Sequence, residues 1–128
     1  MNDTGFHTLW DINGAPETLL QDAPSLHTFF RSILVECGFT VIDDLVHKFD
    51  AGGGGVTGLF LLSESHLSYH TYPETYYISI DIYTCGRANN VIDNEIYEYF
   101  DNATAIHRRR LARGTLSTSK SGAHHEAN

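Results

Sequence analysis

Residues 56 to 86, VTGLFLLSESHLSYHTYPETYYISIDIYTCG, leave this chain few options. They read as strands over 56 to 63, 66 to 72 and 76 to 84, the last rich in β-branched and aromatic side chains. The same stretch is dense in reactive groups. Glu64, Ser65 and His66 follow the apolar run Leu59-Phe60-Leu61-Leu62. His70 lies five residues beyond Ser65, Glu74 follows a Tyr-Pro turn, and Cys85 ends the next strand just before Gly86. A buried polar group without a hydrogen bond costs about 1–3 kcal/mol. So many of them in a core sheet would be expensive if they served packing alone.

The remaining chain supplies the partners for these strands. Residues 5 to 12 read as a first strand, and Asn13-Gly14-Ala15-Pro16 as a turn. Asp22-Ala23-Pro24 opens a helix, with a capping carboxylate and a proline in the first turn. Leu26, Phe29, Phe30, Ile33, Leu34 and Cys37 recur at spacings of three and four, which is one apolar stripe, and Gly38 ends it. Residues 39 to 49 read as a strand and 50 to 55 as a flexible connection. That glycine run lacks the Gly-Lys-Ser/Thr ending of a phosphate loop and precedes no helical pattern. Val91 to Phe100 reads as a second helix. Residues 103 to 111 read as a last strand at an edge, where Arg108-Arg109-Arg110 would blunt further pairing. The order β-α-β-β-β-β-α-β lacks regular βαβ alternation. It predicts an α+β two-layer sandwich, a mainly antiparallel sheet with helices on one face.

With 128 residues, 41% of them apolar, the chain reads as one domain over residues 1–114, followed by a polar tail, 115–128, expected to be disordered. A domain this small gains from burying surface against a second copy. The net charge of −8 argues against a nucleic-acid partner and is compatible with a cationic substrate. No apolar run approaches a membrane span or a signal peptide. Only two cysteines, Cys37 and Cys85, are present, so a reducing cytoplasmic setting with both thiols unbridged is the simplest expectation. Cys37 reads as a small core residue on the helical stripe.

Several blocks agree in order and spacing with one known family. Gly55-Val56-Thr57-Gly58, Ser63-Glu64-Ser65-His66, His70-Thr71-Tyr72-Pro73-Glu74, Asp81 and Tyr83-Thr84-Cys85-Gly86 resemble the bacterial and archaeal S-adenosylmethionine decarboxylases. These are small pyruvoyl-dependent enzymes of polyamine (spermidine) synthesis. Gly5-Phe6-His7 and His47-Lys48-Phe49 extend the resemblance, which covers roughly residues 5 to 114.

The resemblance implies a zymogen that cuts itself between Glu64 and Ser65. Ser65 Oγ attacks the Glu64 carbonyl, the peptide rearranges to an ester, and β-elimination followed by hydrolysis leaves a pyruvoyl group at position 65. That ketone forms a Schiff base with the substrate amine and is the electron sink that an amino-acid decarboxylase needs. No separate cofactor or metal is then expected. His70 is implied to move the proton for elimination, and Thr57 to hold the oxyoxazolidine. Cys85 is implied to return a proton to the substrate Cα, and Glu74 to bind the ribose hydroxyls. Phe49 is implied to stack on adenine or, read alone, to pack in the core. His66 either lines the site or is a hydrogen-bonded strand histidine. Tyr72 stands where relatives usually show Trp, and the loop after Phe49 is longer than usual. Both changes fall around the substrate pocket. The leading substrate is therefore S-adenosylmethionine, with ornithine or arginine as the alternative within the family and a non-catalytic binding subunit as the alternative outside catalysis. The resemblance also implies a homodimer with active sites near its interface.

One geometric condition accompanies these roles. Residues five apart on a straight strand point to opposite faces. Ser65 and His70 can meet only if a bend, bulge or chain break lies between them, and a flat strand with the two side chains on opposite faces would end the processing role of His70. The other histidines, His7, His27, His47 and His107, are scattered in sequence and are assigned no role. His124-His125 is weak metal bait.

Overall fold

Alternating burial along each strand builds the sheet. The structure, a computed structural model, describes residues 3–85 and 90–115. Its strands are β1 (Gly5–Asn13), β2 (Val41–Lys48), β3 (Val56–Leu62), β4 (Ser65–Tyr72), β5 (Tyr77–Cys85) and β6 (Ala105–Arg113). The helices are α1 (Glu17–Leu20), α2 (Ala23–Glu36) and α3 (Asn90–Tyr99), with a 3-10 turn at Pro73–Thr75. All six strands join one sheet in the order β2-β3-β4-β5-β1-β6, antiparallel throughout. The expected α+β sandwich is therefore present, with strand ends shifted by one or two residues. The expected tail lies, beyond Thr115, outside the described residues.

One face of the sheet carries Trp10, Ile12, Val56, Phe60, Leu62, Leu67, Tyr69, Ile78, Ile80 and Ile82, all buried. The helices cover this face. Leu26, Phe30, Ile33 and Leu34 of α2 and Ile92 and Ile96 of α3 complete the core. Phe30 stacks on Tyr69 at 4.4 Å between ring centroids, Tyr97 meets Trp10 edge-on at 5.2 Å, and Phe29 stacks on Tyr99 at 3.9 Å. The Tyr69 ring also lies against Gly58, where any Cβ would collide with it. Asp22 caps α2 by accepting from the Ser25 amide, and Gly38, at φ +87°, closes that helix.

The short helix α1 is not foreshadowed by any apolar stripe, and Pro16 before Glu17 is only a weak start signal. The arginine-rich strand β6 lies at one edge and β2 at the other. Three of the β6 arginines do more than blunt an edge, Arg113 by standing over Tyr83 at 5.4 Å. Arg108 stands over Trp10 and pairs with Asp93 at 2.8 Å, and Arg110 stands over Phe6 at 4.1 Å.

A polar network ties α2 to the sheet. His27 bonds the Tyr69 hydroxyl through Nδ1 (2.8 Å) and Asp44 through Nε2 (2.7 Å), and Arg31 pairs with the same carboxylate. The Arg31 hydrogen bond, and then that of His27, hold the Asp44 carboxyl below the usual carboxylate range. A folded-state value lowered in this way adds stability above the unfolded-state pKa and loses it as pH falls through the folded value. Asp44→Asn should therefore lower the thermal midpoint near neutral pH. Its difference from the parent should shrink as pH drops below about 4. Melting curves across that range check this, and a difference that grew in acid would contradict the assignment.

Candidate active site

Ser63 and Glu64 form the two-residue connection between β3 and β4, with Leu62 paired directly to Ser65. Of the two, only Glu64 has a positive φ, 67°. That sign pattern belongs to a type II turn, whose third residue is usually Gly or Asn. Two-residue hairpins normally take primed turns that match the strand twist. Glu64 thus holds a left-handed conformation costing on the order of 1–2 kcal/mol for an L-residue. Its carbonyl belongs to the bond that leads into Ser65.

That carbonyl has a partner. The Cys85 thiol, at the end of β5, donates to the Glu64 carbonyl oxygen at 2.9 Å. Ser65 is buried beside it. Glu64, Ser65 and Cys85 line one cavity of about 280 Å³, whose far wall is Gly38-Phe39-Thr40, just beyond α2. Neither Cys37 nor Cys85 is in a disulfide.

A second cavity, about 510 Å³, gathers Phe49, Thr57, His70, Tyr72 and Glu74. Thr57 and His70 face each other across β3 and β4, with Thr57 Oγ1 3.2 Å from His70 Nδ1. The imidazole is therefore oriented by a hydroxyl. Phe49 is half exposed on the cavity wall and meets the His47 ring edge-on, so it is not a core residue. Tyr72 stacks on Tyr77.

The loop over this cavity turns on Gly52, Gly53 and Gly54, all at positive φ, which side chains rarely adopt. Gln21 donates to the Gly53 carbonyl (2.8 Å). Lys48 donates to the carbonyls of Gln21 and Gly54. Lys48 stands in the His47-Lys48-Phe49 block without an assigned role, and no sequence signal marks Gln21, because only the folded loop brings the end of α1 to it.

The condition set for Ser65 and His70 is not met within one chain. Strand β4 pairs with β3 without a bulge from Ser65 to His70. Burial alternates strictly along it, with Ser65 on the covered face and His70 on the other. The five-residue separation spans about 17 Å at the usual strand rise. His70 therefore cannot serve the Ser65 of its own chain, and the processing role expected of it is corrected for that chain.

His66 lines neither cavity. It lies on the uncovered face with His7 of β1 and Asp81 of β5. Both Nε2 atoms sit 3.2 Å from Asp81 Oδ1, and Ser68 donates to Oδ2. Burial pushes the Asp81 carboxyl up, but the bonds from Ser68, His7 and His66 outweigh it and hold the group below its ordinary value.

Comparison with known proteins supplies context for this geometry. The family model described as S-adenosylmethionine decarboxylase matches residues 6–114. A protein named S-adenosylmethionine decarboxylase proenzyme from Moorella thermoacetica is 31% identical over 96% of this chain and 98% of its own length. One of the same name from Methanococcus maripaludis is 38% identical over 67% of this chain and 69% of its own. The crystal structure of the adenosylmethionine decarboxylase from Aquifex aeolicus VF5 superposes with a TM-score of 0.78, covering 91% of this chain and 95% of that one at 24% identity.

Proposed function

The chain belongs to the S-adenosylmethionine decarboxylase family, and on that premise we infer that it cuts itself at Glu64-Ser65 and then decarboxylates S-adenosylmethionine as a pair of cleaved chains. The observation that carries this reading is the contact of the Cys85 thiol with the Glu64 carbonyl at a left-handed turn. A thiol aimed at that oxygen polarises the carbonyl that Ser65 Oγ attacks. It also stabilises the negative charge that develops there. The Glu64 conformation raises the energy of the intact bond and is released when the bond breaks.

The residues present fit a pyruvoyl group at position 65, because the same cavity holds the serine that would form it and a thiol able to return a proton. Such a group would supply a ketone that captures the substrate amine and accepts the electron pair left by carbon dioxide. Cys85, released from the Glu64 carbonyl by the cut, would hold the proton that ends at the substrate Cα. In the other cavity, Glu74 would accept hydrogen bonds from ribose hydroxyls, and the half-exposed Phe49 ring would offer a flat face to adenine.

The two cavities lie at opposite ends of β4, so we assign a complete site to two chains. The face of the sheet without helices carries exposed Leu45, Leu59 and Leu61, at 72%, 43% and 49% exposure. Apolar side chains clustered in this way mark an interaction surface. Leu59 pairs with Ser68, midway between the two cavities, and Leu61 pairs with His66, next to Ser65. A two-fold axis near this midpoint makes each chain meet the other through the same patch. It sets the Thr57–His70 end of one chain against the end of its partner that carries Glu64 and Cys85, which removes the separation along β4; Ser65, on the covered face, is then approached from the turn at Glu64.

The experiment is intact mass with and without a carbonyl-trapping reagent, followed by carbon dioxide release from S-adenosylmethionine, ornithine and arginine. Two fragments, 1–64 and a trappable 65–128, with release from S-adenosylmethionine, support the reading. An active uncut chain would sink it, and release only from ornithine or arginine would transfer it to those substrates. Cys85→Ala should split the two stages unequally. Its cleavage should slow about tenfold for loss of a weak donor. Turnover should fall by about 10²–10⁴ for loss of the proton donor. Equal losses in both stages would argue against two separate tasks for the thiol.

A further inference from the structure

We propose that His7, His66 and Asp81 form a binding site for a first-row divalent transition ion, zinc being the best match. The three residues come from three neighbouring strands, β1, β4 and β5, and meet on the face of the sheet that no helix covers. Their ligand atoms all lie within 4.8 Å of one another. Each imidazole presents Nε2 to the same oxygen, Asp81 Oδ1, at 3.2 Å. For a tetrahedral ion with bonds of about 2.0–2.1 Å, neighbouring ligand atoms stand about 3.4 Å apart. Two edges of such a polyhedron are thus already in place.

The surroundings are those of a prepared ligand set. Ser68 donates to Oδ2, the second carboxylate oxygen, which fixes the plane of Asp81 and leaves Oδ1 facing the imidazoles. Groups that hold a ligating carboxylate in this way tune metal affinity. The two rings are nearly perpendicular, at 79°, and both Nε2 atoms approach the same carboxylate oxygen. Two imidazoles and one carboxylate suit zinc and its first-row neighbours better than the harder magnesium or calcium. Three protein ligands leave a fourth position, which faces the seam with the second chain, since this is the sheet face assigned above to the pair; His66 is the most exposed of the three in the single chain. Binding requires each imidazole to carry its hydrogen on Nδ1, so the ion displaces protons whenever either ring is protonated.

The test is a calorimetric titration of zinc chloride into the chelator-treated full chain near neutral pH, repeated with cobalt(II), whose absorption reports coordination. One ion per chain is expected. His7→Ala and Asp81→Asn should each weaken binding by about 100-fold or more, and Ser68→Ala by about tenfold. The double variant His124→Ala/His125→Ala removes the competing tail histidines and should retain the site. Circular dichroism shows whether each variant is folded, and His7→Gln replaces His7→Ala if the smaller side chain unfolds the sheet. No saturable binding, binding untouched by the His7 and Asp81 variants, or binding lost with the tail pair would each overturn the proposal. None of these readouts depends on decarboxylase activity.

Discussion

Ser65→Ala should leave a single 14.3 kDa chain and no decarboxylation. Alanine has no Oγ to add to the Glu64 carbonyl, so the left-handed turn stays closed whatever Cys85 does to that oxygen. Without the cut there is no ketone, and the whole acceleration over background, about 10⁶-fold or more for an enzyme, disappears. Stability should barely change. Ser65 starts β4 in register with Leu62, and removing one hydroxyl beside a cavity leaves the pairing intact. A shift under about 1 kcal/mol is expected, well inside the range for single substitutions. A denaturing gel, intact mass and carbon dioxide release on the same preparation check all three statements. An alanine variant that still splits at this bond, or an uncut one that still turns over, would remove the foundation of the functional reading.

Mixing two inactive chains should restore cleavage in one of them. His70→Ala keeps Ser65 but lacks the imidazole, and Ser65→Ala keeps the imidazole but lacks the serine. Each alone should remain uncut. Refolded together at equal amounts, random pairing places about half of the His70→Ala chains opposite a partner with an intact His70, and those chains should cut. The reason is the unbroken register of β4, which holds Ser65 and His70 of one chain about 17 Å apart along the strand. Mass spectrometry distinguishes the two chains and reports which one is cleaved. A mixture as inert as its components would show that His70 does not act across the pair. Leu59→Asp in both chains should abolish the rescue by placing charge in the shared apolar patch.

Much of this architecture is legible in the sequence because local signals agree with the fold. The Asp22 cap, the α2 stripe ending at Gly38 and the strand parity of residues 56 to 84 each rest on neighbours within a few positions. The resemblance likewise marks the residues that line the two cavities, since they cluster in short blocks. Whatever depends on the position of β1 is hidden from such a reading. Its insertion beside β5 is a contact between distant segments, and only that insertion brings His7 to Asp81. His27 carries no local sign of its role for a similar reason. Its partners, Asp44 and Tyr69, arrive from β2 and β4. The division of the site between the ends of β4 is half visible, as a parity problem whose answer requires the ladder itself.

The sheet order also governs the fate of the two pieces after a break at residue 64. Fragment 1–64 would contribute β2, β3 and β1, and fragment 65–128 would contribute β4, β5 and β6. Strand β1 sits between β5 and β6, so the first piece is threaded through the second like a finger in a clasped hand. Neither piece can leave without tearing three ladders, β3 from β4 and β1 from both β5 and β6. Once pulled apart by denaturant, the halves must find each other by collision, which makes recovery after full unfolding depend on protein concentration.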